Sequence, residues 1–83
     1  MSYRIQYSDE ARAALRALEK ASPDRLRNFQ QEMTRIARSP YAFGSPVGGI
    51  NDRRQAAVAG TVTMYWISQN VLTISVVTIV HTG

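Results

Sequence analysis

Eighty-three residues can close one two-layer core and no more, because a chain of this length buries only roughly 60 to 65% of the surface its unfolded form exposes. With no cysteine and one histidine, a disulfide framework and a thiolate or His-rich metal centre are excluded, so neither metal nor other cofactor is expected. Ten basic residues, nine of them arginine, against six acidic ones give a net charge of +4 and point to an anionic partner, since guanidinium groups suit bidentate contact with phosphate or carboxylate.

Tyr3, Ile5 and Tyr7 alternate with Arg4 and Gln6, the pattern of a short half-buried strand. Such a start is unlike a charged region followed by an apolar leader, and no apolar run approaches the ~18 residues of a membrane span; a soluble, cytoplasmic domain is expected. Ser8 offers an N-cap oxygen, Asp9 and Glu10 suit the positive end of a helix dipole, and Ala11, Leu15 and Leu18 recur at helical spacing, which predicts a helix over 9–20. Arg12, Arg16 and Glu19 form its solvated face. Ser22-Pro23-Asp24 repeats the start signal, and Leu26, Phe29, Met33, Ile36 and Ala37 make the next apolar stripe, ended by Ser39-Pro40 near Arg38. So short a join between the helices requires an antiparallel hairpin.

Residues 41–52, with Gly44, Pro46, Gly48 and Gly49, read as an ordered loop. Residues 53–59 and 61–68 read as strands joined at Gly60, and a tight turn at Gln69-Asn70 leads to a third strand over 71–80, rich in Val, Ile and Thr. Alternation puts Leu72, Ile74, Val76 and Val80 on one face and Val71, Thr73, Ser75, Val77, Ile79 and His81 on the other. Tyr65 and Trp66 fall on opposite sides, with Trp66 expected in the core or an interface. The order β-α-α-β-β-β predicts one α+β domain over residues 1–83: a four-stranded antiparallel sheet, last strand beside first, with the helical hairpin on one face.

The acids lie largely at helix starts, and the polar residues on or beside the sheet are Arg4, Arg53, Arg54, Gln55, Tyr65 and His81. Cleavage of RNA by its internal 2'-hydroxyl needs a proton acceptor, a proton donor and cations on the phosphate, and His or Tyr with Arg supplies these without metal. Each has an ordinary reading too: His81 as an exposed strand end, Tyr65 as a half-buried strand residue. Of Arg53 and Arg54 only one can share the face of Tyr65, and Arg54 is the better candidate.

Tyr3-Arg4-Ile5-Gln6-Tyr7-Ser8 before the first helix, Ser39-Pro40-Tyr41, Asp52-Arg53-Arg54, Met64-Tyr65-Trp66-Ile67 and Ile79-Val80-His81 occur in an order and spacing that resemble the RelE/ParE superfamily, the toxic halves of type II toxin-antitoxin pairs. The resemblance spans nearly the whole chain. It implies a RelE-like endoribonuclease that cuts mRNA on the ribosome, or a ParE-like inhibitor of DNA gyrase, or a member that only binds its antitoxin; in each case a cognate antitoxin neutralises it. It implies Arg54, Tyr65 and His81 as catalytic residues; Arg4 and Arg53, from the polar set on the sheet, are expected as RNA phosphate contacts. The chain departs from the family where many members carry arginine before the third-strand tyrosine, here Val62 and Thr63, and a basic residue after the final histidine, here Thr82 and Gly83.

Overall fold

The computed structural model describes residues 2–81; Thr82 and Gly83, at which the family's final basic residue is missing, lie outside them. The elements are β1 (Arg4–Tyr7), α1 (Asp9–Ala21), α2 (Pro23–Arg38), a 3-10 turn (Pro40–Ala42), β2 (Ser45–Val47), β3 (Ile50–Val58), β4 (Thr61–Ser68) and β5 (Thr73–His81). They build an α+β domain with one sheet in the order β1-β5-β4-β3-β2.

The helices form for the reasons read in the sequence. Ser8 Oγ accepts the Ala11 amide at 3.0 Å and Ser22 Oγ accepts the Arg25 amide at 3.3 Å, each satisfying a donor that a helix start leaves orphaned. Ala11 and Leu18 of α1 and Phe29, Met33, Ile36 and Ala37 of α2 are buried, with α1 lying against β5 and α2 against β3. Facing them from the sheet are Ala56, Val58, Tyr65, Ile67, Ile74, Val76 and Ile79. Removing a large side chain such as Phe29 or Ile74 from water stabilises the fold by about 1.5–3 kcal/mol each.

The expected four-stranded antiparallel sheet is corrected on two points. It has five strands, because Gly48 and Gly49 take positive φ of 62° and 74°, the conformation a tight hairpin turn requires, and fold Ser45–Val47 back on β3. It is also mixed, since β1 pairs with β5 in parallel, Ile5 opposite Ile74 and Tyr7 opposite Val76. Every join in the chain is short enough to reverse direction, and the even number of reversals from β1 to β5 leaves the two pointing the same way.

A third correction concerns β5. Tyr65 pairs with Val76 but Met64 pairs with Thr78, so Val77 is an extra residue, a β-bulge. The bulge inverts the alternation beyond it. Ile79, expected opposite Ile74 and Val76, joins them in the core, whereas Val80, expected with them, is 51% exposed. The strand also starts at Thr73 rather than Val71: residues 69–72 make the turn, with Leu72 at a φ of 46°.

Candidate functional site

Arg54 of β3 and Tyr65 of β4 are cross-strand partners on the helix side of the sheet, and the structure brings them together. Both are buried, Tyr65 completely and Arg54 to 6% exposure. The Arg54 Nε donates to the Phe43 carbonyl at 2.9 Å, Nη1 to the Asn51 carbonyl at 3.2 Å and to its Oδ1 at 2.8 Å, and Nη2 to the Gly44 carbonyl at 3.3 Å. The Tyr65 hydroxyl is 2.9 Å from the Pro40 carbonyl and 3.2 Å from that of Phe43. These two side chains therefore satisfy the backbone of the 40–51 connection. Burial pushes the Tyr65 phenol above its ordinary pKa, against the opposing pull of the Arg54 charge, and keeps it a neutral donor.

Above Arg54, at 5.9 Å from its Cζ, lies the ring of Tyr41, whose hydroxyl donates to Asp52 Oδ1. Loss of hydration first, and the Asp52 hydrogen bond and charge second, push the Tyr41 phenol up to about 12. The landmarks Ser39-Pro40-Tyr41 and Asp52-Arg53-Arg54 thus meet in space, a pairing that sequence spacing alone does not reveal.

His81 lies elsewhere. It pairs with Thr61, four residues along β4 from Tyr65, roughly 13 Å at the rise of a strand. The bulge at Val77 turns it from the expected mixed face to the helix side, where it closes an apolar hollow formed by Ala14, Ala17 and Ala21 of α1 with Thr61 and Ile79. Its side chain is exposed. The three residues expected to act together are thus a buried pair and a separate, open imidazole.

The other face of the sheet carries no helix. Arg53, the neighbour of Arg54, points to it and holds its guanidinium carbon 4.6 Å from the centroid of the Trp66 ring. Trp66 is 46% exposed there, on the bare face of the sheet. Register lines up Gln6, Ser75, Trp66 and Arg53 in one row across β1, β5, β4 and β3, with Arg4 opposite Thr73 beside it. Among the described residues no acidic side chain reaches this face: Asp9, Glu10, Glu19, Asp24 and Glu32 belong to the helices, and Asp52 turns to the helix side to meet Tyr41. Among the described residues no group of three or more His, Cys, Asp or Glu could hold a metal ion, and no helix is long and apolar enough to cross a membrane.

A helical hairpin over one side of a five-stranded mixed sheet, with the opposite side bare and cationic, defines the class of domain. No protein-family model and no curated protein matches the chain. Among solved structures it is similar to a chain of the toxin-antitoxin complex RelBE2 from Mycobacterium tuberculosis, with a TM-score of 0.77, 20% identity, and coverage of 98% of this chain and 99% of that one. At that identity the likeness is one of fold.

Proposed function

We propose that this chain is the toxin half of a type II toxin-antitoxin pair that acts on mRNA at the ribosome and is held inactive by a cognate antitoxin. The observation that carries the reading is the end-to-end likeness of fold to a chain of a toxin-antitoxin complex. The arginine-rich composition and a sheet face with arginine and no carboxylate agree with a polyanionic target. Cleavage, in this reading, is metal-independent and uses His81 as the exposed proton carrier. Arg54 and Tyr65 then serve by holding the 40–51 connection, while Arg4 and Arg53, on the opposite face of the sheet from His81, meet phosphates of the RNA away from the bond that is cut.

The antitoxin has a place to dock. β1 pairs with β5 from Thr73 to Val76, and among the described residues no strand lies beside the outer edge of β5 beyond the bulge. An acidic segment adding there as a strand would gain main-chain hydrogen bonds and offset the positive charge.

Inducing the wild-type chain, His81→Ala and Arg53→Ala in a bacterial host, with growth and mRNA 5' ends followed in the same cultures, tests the reading. New cuts inside translated codons and growth arrest are expected for wild type, and neither for His81→Ala. Arrest with DNA damage and no cuts would replace it by gyrase inhibition, and absence of arrest by a protein that only binds its antitoxin.

A further inference from the structure

We propose that Trp66 and Arg53 form a stacking site for an unpaired RNA base on the open face of the sheet. The proposal rests on the reading that RNA is the target, and it identifies which part of the RNA this face reads. Trp66 is the only tryptophan of the chain, and the fold leaves it 46% exposed on the face where nothing packs. The position is not a by-product of a loose loop. Trp66 lies inside β4, with Arg53 on one side and Ser75 on the other, and the two flanking side chains of its own strand, Tyr65 and Ile67, are locked in the core.

The Arg53 guanidinium sits 4.6 Å from the ring centroid. A cation held against an indole is pre-oriented, so ordering it on binding costs less than ordering a free arginine, and it adds its own attraction to any π-face brought beside it. Every nucleobase has such a face, whereas an acidic peptide has one only where it carries an aromatic residue. The surroundings suit a nucleotide strand. Gln6 and Ser75 continue the row with hydrogen-bonding groups, and Arg4 lies three strands and two residues from Arg53, roughly 16 Å away by sheet geometry. Two cations at that separation, with a stacking ring between and no carboxylate on the face among the described residues, match a short single strand that runs across the sheet with phosphates at the ends and a base in the middle. A duplex has its bases stacked internally and presents none of them to a flat face.

The test uses the full chain and four probes: a short single-stranded RNA of mixed sequence with no self-pairing, its abasic counterpart of equal length and charge, the same RNA as a duplex, and polyglutamate. Binding is read by quenching of the Trp66 fluorescence and by the anisotropy of a dye on each probe. The single-stranded RNA should quench Trp66 and bind more tightly than the abasic or duplex form. Trp66→Ala should weaken its binding by roughly ten- to a hundred-fold while leaving the abasic probe unchanged, and Trp66→Phe should retain most of the affinity with an unaltered circular dichroism spectrum. Equal binding of RNA and abasic probe, or equal quenching by polyglutamate or duplex, would overturn the site. Its failure is separable from failure of the toxin reading. Base-dependent binding in a chain that arrests no growth keeps the site and removes the toxin, whereas arrest by Trp66→Ala with undiminished RNA binding keeps the toxin and removes the site.

Discussion

At the scale of the residue, the informative contrast is between two arginines adjacent in sequence. Arg53 projects into solvent with an aromatic partner, while Arg54 spends its guanidinium on the carbonyls of Phe43, Gly44 and Asn51. A buried cation so committed is costly to remove, because each carbonyl loses its partner where water does not replace it. Arg54→Met, which keeps much of the volume, should lower unfolding free energy by about 2–4 kcal/mol, and Tyr65→Phe by about 1 kcal/mol, both read from urea denaturation. Under the proposed toxin reading, loss of toxicity in Arg54→Met should therefore track loss of folded protein, whereas in His81→Ala stability should be unchanged within about 0.5 kcal/mol. The tyrosines give a second test. Tyr7 and Tyr65 are raised above their ordinary pKa by burial, and Tyr41 is pushed up to about 12. Phenols that hold their proton more tightly folded than unfolded contribute fully below the unfolded value near 10, and that contribution is lost as pH rises toward 12. Stability should be level through neutral pH and fall steeply across that alkaline window, and Tyr41→Phe should make the fall shallower in a denaturation series taken against pH.

At the scale of the element, Ser8 ties three pieces together. Its Oγ accepts the Ala11 amide to cap α1 and donates to the Val77 carbonyl at 2.8 Å, while its own amide donates to the Val76 carbonyl at 2.9 Å. One hydroxyl thus serves a helix start and the bulge in β5. Ser8→Ala should cost about 1–2 kcal/mol and Ser8→Thr less, measured as shifts of the urea midpoint at constant slope. The cap was legible in the sequence because Ser8 precedes an acidic first turn and a helical stripe, and the same kind of local signal gave α2 its limits at Pro23 and Arg38. The bulge was not legible. Val77 and Thr78 have the strand chemistry of their neighbours, and nothing local tells which residue the partner strand leaves unmatched. That one residue moved Ile79 and His81 to the other face and separated the histidine from the expected surface. The strand β2 was half legible: Gly48-Gly49 is a turn signal, but three residues containing a proline are too few to read as a strand without their partner. At Arg54 the sequence shows a guanidinium and not the carbonyls of Phe43, Gly44 and Asn51 that converge on it, so its structural part is not legible there.

At the scale of the whole molecule, β5 is an interior strand for half its length and an edge for the other half. Between Thr73 and Val76 it lies between β1 and β4, and past the bulge, among the described residues, β4 is the one strand beside it. The Leu72 and Val76 carbonyls accept the Arg4 and Ser8 amides, which fixes the phase of the ladder. Carried through the extra residue, that phase directs the amides and carbonyls of Ile79 and His81 away from β4 and toward the outer edge. A protein leaves such an edge open only if it is short, or if something is meant to cover it. Here it is short, and it adjoins the apolar hollow beneath α1, so a strand added to it could place a side chain on Ile79 and its neighbours. Hydrogen exchange should report the asymmetry directly. In the free chain the Ile79 amide should exchange roughly a hundred-fold or more faster than that of Ile74, although both residues are buried and belong to the same strand. When the proposed acidic antitoxin segment is added, protection should appear at Ile79 and His81 while Ile74 stays as it was. Protection of Ile79 already present in the free chain would mean that the edge is covered from within, and the partner would then have to bind through the arginine-bearing face instead.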